Sequence, residues 1–331
     1  MNENNVKVLI EKEYGIEVKS IIKHKNTFKI NGNSGYCFKV LNYEFGHSYY
    51  IISAIKHLNN KGFSTVLNII KTRNGLDYVE LNECGYGYLT EWFESRVSNY
   101  NDLSELKNVS RELSKLHIAS RDFNITPMMT PRIYWFSWIN VFKTRKEEIY
   151  DFAKRINQKA HKNKFDEVFL KNLNEQIAIA DKSIKGLINS NYVEIMERHM
   201  LKREFCHHDY ANHNILIGKN NEIKIIDFDY CILDSHIHDL ASLLIRAMKY
   251  NRWDKNKANV ILDAYSENIE ISKDELNVIK EFIRFPQDFW QRGLQMYWEQ
   301  QPWGEEFILG KLNKYLEDRK YRDEFIENFF R

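Results

Sequence analysis

The chain has 331 residues, 43% of them hydrophobic and 28% charged, which is enough apolar material for one large core or two unequal ones and excludes a disordered chain. Lysine plus arginine is 48 against 46 for aspartate plus glutamate, and a net charge of +2 gives no argument for nucleic acid as a partner. Four cysteines (Cys37, Cys84, Cys206 and Cys231) are too few for a disulfide scaffold and too scattered for a zinc knuckle, and suit a reducing compartment.

In chain order, residues 3–14 read as a short helix ended near Gly15. The start MNENNVKVLIEKEYG is too polar for a signal peptide and no long apolar run follows, so a soluble, non-secreted protein is expected. Glu17–Ile22, Thr27–Ile30 and Tyr36–Leu41 read as three short strands, the last two joined by a turn at 31–35. A helix is predicted over Ser48–Asn60, with Ile51, Ile52, Ile55 and Leu58 as its apolar stripe and Gly62 as its stop. Thr65–Lys71 and Leu76–Leu81 complete an antiparallel sheet with one helix against it, and Tyr88–Phe93 is a partly apolar connection. The implied domains are a small lobe over 1–87, a hinge at 88–94 and a mainly helical lobe over 95–331.

In that second lobe, helices are predicted at 103–117, 142–161, 165–189, 192–202, 239–249, 255–267, 273–285 and 311–329. The basic runs Lys143, Arg145, Lys146 and Lys159, His161, Lys162, Lys164 read as solvated helix faces. One island interrupts the helices. Ile215–Ile217 and Ile223–Ile226 are two brief apolar runs around a turn at 219–221, and the second ends on Asp227-Phe228-Asp229. Such short strands bury little by themselves, so their polar rim reads as a site. No repeat, low-complexity tract or proline-rich linker occurs.

Phosphoryl transfer needs an oriented acceptor hydroxyl, a divalent metal on the nucleotide phosphates and positive charge near the α and β phosphates. Asp209 in His207-His208-Asp209 can orient the hydroxyl, while Asn214, five residues on, and Asp227, thirteen beyond that, supply hard oxygen atoms for magnesium. Asp209 alone reads as a loop cap; the spacing together with the two apolar runs makes the combination specific. Lys39, on the alternating strand Tyr36–Leu41, is the candidate for the phosphates. A zinc site on His208 and His213 has no compact cysteine or carboxylate partner, and hydrogen-bonding histidines are the simpler reading.

These residues resemble the catalytic and metal-binding loops of the protein kinase-like superfamily, in its aminoglycoside phosphotransferase and choline kinase branch. More closely, the chain resembles the CotS-type spore coat-associated kinase-like family, through Asn26-Thr27-Phe28, Phe38-Lys39, Tyr88-Leu89-Thr90-Glu91-Trp92, His207-His208-Asp209, Ile226-Asp227-Phe228-Asp229 and Asp239-Leu240. The resemblance covers nearly the whole chain. It implies a bilobal α+β fold of the aminoglycoside phosphotransferase type, with ATP and Mg2+ as cofactors. Asp209 matches the acceptor-orienting or general-base aspartate, His207 the histidine that braces the loop, and Asn214 and Asp227 the metal ligands. Asp229 either approaches the same metal or caps backbone, and Asp239 either steadies the catalytic loop or caps a helix. Glu91 falls in the segment that lines the nucleotide cleft.

Two departures bear on turnover. The glycine-rich phosphate loop is absent, leaving Lys25 and Asn26 either as side-chain donors to phosphate or as ordinary turn residues. The 48–60 helix holds no acidic partner for Lys39, and Glu44 lies before it. The aromatic and acidic segment 282–306 either packs as core or holds an amine, with Asp288, Trp298 and Glu299 as pocket candidates. Two functions follow. One is an ATP-dependent phosphotransferase acting on a hydroxyl of a small molecule or sugar; the other is a catalytically weak or inactive kinase-like protein recruited to the spore coat by coat proteins. The short stretch from Asp229 to Asp239 leaves no long activation segment and argues against a protein substrate.

Overall fold

The computed structural model describes residues 1–81, 85–250, 253–299 and 302–330; Cys84, Gln300 and Gln301 lie outside the described residues. Two compact units emerge, one formed by Met1–Ile133 with Met200–Asp239 and the other by Tyr134–His199 with Leu240–Arg331.

The first unit opens with α1 (Glu3–Tyr14), whose N-cap Asn2 accepts a hydrogen bond from the Asn5 amide and which stops at Gly15 in the left-handed region, φ 70°. Strands β1 (Ser20–His24), β2 (Thr27–Asn31) and β3 (Gly35–Leu41) form antiparallel hairpins. Alternation sends Phe28, Ile30, Tyr36, Phe38 and Val40 into a core with Val6 and Ile10 of α1. Helix α2 spans Phe45–Asn60 and buries Ile51, Ile52, Ile55 and Leu58, as its periodicity predicts, but begins three residues earlier than expected.

The sheet differs from expectation on its far side. Residues 86–91, expected to belong partly to a connection, form β6 (Tyr86–Glu91), the strand on which the sheet is organised. It pairs with β3 through Cys37↔Thr90 and Lys39↔Tyr88. The two long strands expected at 65–71 and 76–81 reduce to β4 (Ile69–Ile70) and β5 (Val79–Glu80), each paired with β6 and not with the other. Gly87 lets this happen, because a Cβ there would meet the Phe38 ring at 2.3 Å. β1 runs over 20–24 and not 17–22; ahead of it Val18 packs into the core and the Lys19 amide donates to the Asn31 carbonyl at 2.8 Å.

A second, three-stranded sheet joins β7 (Ser95–Val97), β8 (Ile215–Gly218) and β9 (Ile223–Ile225). The pair β8–β9 is the expected island; β7 was not anticipated, being three exposed residues with no apolar pattern. A parallel bridge from Val66 to Ile225, with the Ile225 amide on the Thr65 carbonyl at 2.9 Å, ties segment 64–67 alongside β9. Helix α3 (Leu103–Ser120) buries Leu106, Val109, Leu113, Leu116 and His117.

The second unit is helical: α4 (Trp138–Asn157), α5 (Lys164–Ile188), α6 (Tyr192–Leu201), α7 (Ile237–Met248), α8 (Lys255–Ser266), α9 (Lys273–Arg284), α10 (Gln287–Tyr297) and α11 (Glu305–Phe329), with the chain passing between units within α6 and α7. Its core gathers Ile149, Phe152, Phe165, Phe169, Phe289 and Leu312. Phe169 stacks on Phe289 at 4.2 Å and Phe142 on Phe285 at 3.9 Å. Helix α10 was unpredicted, and α11 starts six residues before its expected Lys311. The basic runs are not wholly solvated faces: the Arg145 guanidinium lies 4.4 Å from the Trp290 ring centroid, and Lys159 is 2.8 Å from buried Asp166. No helix among the described residues is long and apolar enough to cross a membrane.

Candidate active site

On β3, Phe38 and Val40 turn into the core, so Cys37 and Lys39 face the opposite side. Lys39 is buried, and its Nζ lies 2.6 Å from Asp227 Oδ1 and 2.8 Å from Asp229 Oδ1. The contact to Asp227 is an aligned hydrogen bond, whereas the one to Asp229 is a charge contact off the hydrogen-bond line. Glu44 is exposed at the start of α2, so the acidic partners of Lys39 are the two carboxylates of the Asp-Phe-Asp turn.

The three charges do not titrate alike. Burial works against the Lys39 ammonium, but Asp229 and then Asp227 outweigh it and raise its pKa. Burial and the nearby Asp227 push Asp229 up to about 6 against the opposing pull of Lys39. Asp227 is lowered: its burial is outweighed by the charge and hydrogen bond of Lys39. The group is thus an ammonium hydrogen-bonded to one carboxylate whose pKa is lowered and lying beside a second whose pKa is raised.

Asp227 adopts φ 69°, ψ 65°, a left-handed conformation that costs a non-glycine residue about 1–2 kcal/mol. Neighbouring bonds hold it there. The Ile226 amide donates to the Asn214 carbonyl at 3.0 Å, and His207 Nε2 meets the Ile226 carbonyl at 2.9 Å. Buried Phe228 packs on the His207 ring at 4.6 Å.

His207 Nδ1 accepts the Asp209 amide at 3.3 Å, so the proton sits on Nε2, and burial lowers its pKa, keeping the ring neutral. Asp239 receives the His207 amide at 2.7 Å on Oδ2 and the His208 amide at 2.8 Å on Oδ1, with His117 Nε2 3.2 Å from Oδ2. Burial opposes ionisation of Asp239, but the hydrogen bond and charge of His117 hold it well below the usual carboxylate range. Asp239 therefore fixes the loop by hydrogen bonds and is not an isolated cap. His117 was not singled out in the sequence, where it is one more apolar-face residue of α3.

Asn214 Nδ2 donates to both the carbonyl and Oδ2 of Asp209, each at 2.9 Å. Two acceptors on that side fix the amide nitrogen toward Asp209 and leave Oδ1 as the free oxygen. His213 Nε2 lies 3.9 Å from Asp209 Oδ2 and is largely exposed, while the His208 ring packs on His238 at 4.8 Å, so the two histidines serve different surroundings. His117, Cys206 and Asp239 also approach one another, but Cys206 donates to the Asp234 and Ser235 carbonyls and the Asp239 oxygens are engaged as described.

A cavity of about 100 Å³ opens beside Lys39, bordered by Cys37, Ile55, Tyr88, Thr90 and Asp227 among others. Tyr88 belongs to the segment expected to line a cleft, whereas Cys37 was not a candidate from sequence; the cross-strand register places both there. The β1–β2 turn consists of Lys25 and Asn26 alone. Lys25 is exposed at φ 55°, and Asn26 is drawn onto β3, its carbonyl accepting the Val40 amide at 2.9 Å. Glu91 lies exposed at the end of β6 opposite Tyr36, and does not border the cavity.

The three acceptor-pocket candidates lie in the second unit. Asp288, in the first turn of α10, is 3.6 Å from Arg292 and 3.9 Å from Lys249. Trp298 caps the other end of α10, ten residues and thus about 15 Å away along the helix. Glu299 is exposed. Nearby aromatic faces carry the protein's own cations: Arg145 on Trp290, Arg155 on Trp298 and Lys159 on Tyr297.

A similar solved structure is the crystal structure of an aminoglycoside phosphotransferase from Alicyclobacillus acidocaldarius, with a TM-score of 0.82 and 19% identity over 96% of this chain and 92% of that one. A spectinomycin phosphotransferase solved with ADP and spectinomycin gives a TM-score of 0.67 and 17% identity over 98% and 94% of the two chains. The fold is therefore the bilobal α+β protein kinase-like fold of the aminoglycoside phosphotransferase type. In sequence, spore coat protein S of Bacillus subtilis (strain 168) is 22% identical over 284 residues, 84% of this chain and 79% of the relative. The profile described as spore coat putative kinase YutH matches residues 7–329, and the chain belongs to that spore coat-associated, kinase-like family.

Proposed function

We propose that this chain is an ATP- and magnesium-dependent phosphotransferase acting on a hydroxyl of a small molecule or sugar. The observation that carries the reading is the Lys39 ammonium held by Asp227 and Asp229, next to a loop in which Asn214 locks Asp209. The spectinomycin phosphotransferase with the same fold was solved in complex with ADP and spectinomycin, which supports the class of reaction. The lobes of the working enzyme are taken as 1–87 and 95–331, with 88–94 as the hinge.

The donor set suits magnesium. Asp227 and Asp229 offer carboxylate oxygens, and Asn214 offers an amide oxygen whose nitrogen is already committed, all hard ligands. Magnesium held by these residues would supply charge neutralisation to the nucleotide phosphates. Lys39, now paired with the two carboxylates, offsets charge on the α and β phosphates once those oxygens turn to other partners. Asp209 accepts the proton of the incoming hydroxyl as its oxygen bonds to the γ phosphorus and the bond to the bridging oxygen breaks, the electron pair leaving with ADP. His207, neutral and buried, keeps the loop in place.

Calorimetry with MgATP tests the binding half. Asp227→Ala is expected to abolish binding that depends on magnesium, and unchanged affinity in that variant would overturn the metal assignment. An acceptor screen tests the chemical half, with turnover by the wild type and none by Asp209→Ala.

A second reading, a kinase-like coat component with weak or no turnover, draws on two observations. The cavity beside Lys39, at about 100 Å³, is below the roughly 300 Å³ at which ligand pockets begin, and the two-residue β1–β2 turn has no run of backbone amides for a phosphate. Similarity to spore coat protein S supports a CotS-type role among coat proteins. Normal coat incorporation of Asp209→Ala, with neither protein transferring phosphate, is the outcome this reading expects.

A further inference from the structure

In the first unit an irregular stretch ending at residues 130–133 is fixed at two points. The Thr130 amide donates to the Gly46 carbonyl at 2.9 Å, in the first turn of α2, and His47 Nδ1 lies 3.2 Å from the Thr130 carbonyl. Gly46 admits this approach, because a Cβ there would meet Thr130 Oγ1 at 2.2 Å. Two residues on, the Arg132 carbonyl accepts the Leu233 amide at 2.9 Å, and Ile133 forms a parallel bridge with Leu233. Pro131, between the two anchors, restricts its own backbone and that of Thr130. Arg132 is thus presented by backbone tied both to α2 and to the chain that follows the Asp-Phe-Asp turn.

Its half-buried side chain ends against two phenol rings. The Arg132 guanidinium lies 5.6 Å from the Tyr43 ring centroid and 5.7 Å from the Tyr230 ring centroid, and among the described residues no carboxylate is within ion-pair distance of it. Lys39, by contrast, has two. Aromatic rings steady a guanidinium without using up its N–H donors, which remain for the paired oxygens of a carboxylate or phosphate.

The neighbours of this cation belong to the candidate active site. Tyr230 directly follows Asp229 and is 49% exposed. Burial and then Asp229 raise the pKa of the Tyr43 hydroxyl against the opposing pull of Arg132, so this phenol feels both the metal turn and the guanidinium. Arg132 is also among the charges that act on His208, the residue before Asp209. The Lys39 cavity, in contrast, is bordered by neither Arg132 nor the two tyrosines. The cation therefore stands with the loop that orients the acceptor and outside the cavity assigned to the nucleotide.

We propose that Arg132, steadied by Tyr43 and Tyr230, is a specificity-determining residue that binds an anionic group on the acceptor, which makes the acceptor a hydroxylated acid and not an amine. Assigning the anion to an acceptor rests on the phosphotransferase reading above; the anion site itself does not. The guanidinium fork takes a carboxylate or a phosphate, as in a sugar acid or a sugar phosphate, and an ammonium in its place meets a like charge.

Titration calorimetry of the full chain tests this with four hexoses that differ in charge: glucuronate, glucose 6-phosphate, glucose and glucosamine. Magnesium and nucleotide are left out, so that no anion is held through a metal. At least one of the two acids is expected to bind about tenfold or more tighter than glucose, the stronger one showing whether the fork takes carboxylate or phosphate, and glucosamine is expected to bind weakest. Arg132→Gln is expected to bring the acids down to the level of glucose. Arg132→Lys keeps the charge without the fork and retains part of the preference, and Tyr230→Ala weakens the acids by releasing one ring. Circular dichroism and thermal midpoints like those of the wild type identify each variant as folded. Absence of binding by both acids in the wild type, affinity for glucose or glucosamine equal to theirs, or a preference for acid that survives Arg132→Gln overturns the proposal. Loss of MgATP affinity in Arg132→Gln with the order of the sugars intact would assign the guanidinium to the nucleotide and overturn it as well. A wild type that ranks the sugars as expected and binds no MgATP overturns the phosphotransferase reading and leaves the anion site standing.

Discussion

Lys39 shows how one side chain couples two parts of the first unit. Its stem belongs to β3, its ammonium to the turn at 227–229, and burial makes the missing partner expensive for whichever group is left. Lys39→Met is therefore expected to lower stability by about 2–3 kcal/mol in urea unfolding, less than a fully buried pair would lose because Asp227 is 38% exposed. Millimolar magnesium is expected to recover part of that loss, since the two carboxylates then share a cation again; no recovery would argue against Asp227 and Asp229 as a metal pair.

At the scale of elements, the β1–β2 hairpin joins structure to the phosphate question. Lys25 takes φ 55° in a two-residue turn, where hairpins of this length favour glycine at positive φ. Lys25→Gly relieves that conformation, and we expect a gain of about 0.5–1 kcal/mol, seen as a higher thermal midpoint. The same variant separates the two roles of the residue. Unchanged MgATP affinity marks Lys25 as a turn residue, whereas weaker binding with higher stability marks its ammonium as a phosphate donor. Among the helices, α5 starts on the reciprocal Asn163–Asp166 capping box, and Asp166 also receives Lys159, which draws one predicted solvent-facing cation down onto the protein.

For the whole molecule, acid is expected to unfold the chain through its buried histidines before most carboxylates titrate. Burial is the first cause lowering the pKa of His47, His57, His207 and His208, the last to about 3. In the unfolded chain these rings take up protons near pH 6.5, which the folded chain resists, so their contribution is complete above that pH and declines as pH falls. Each such histidine contributes a slope of about 1.4 kcal/mol per pH unit once the unfolded form is protonated. His208, at φ 66°, faces His238, Asp239 and Arg132, and asparagine tolerates its backbone. Urea unfolding of His208→Asn between pH 6.5 and 4 is expected to show a shallower decline than the wild type by about one proton; an unchanged slope would show that the His208 ring is protonated in the folded chain.

The sequence by itself determined the parts whose signals are local. The periodicity of 51–58, the stop of α1 at Gly15, the alternation of β3 and the spacing of Asp209, Asn214 and Asp227 each depend on residues within a few turns of one another. What only tertiary structure decided lies where partners are remote in sequence. Residues 86–91 become the organising strand because β3 and two short strands pair with them, and Tyr88 and Cys37 reach the cavity by that register. Lys39 finds its acids 188 residues away, and Asp239 its hydrogen bonds on a loop some thirty residues earlier, because burial selects partners by distance in space, and a one-dimensional pattern holds no record of that distance.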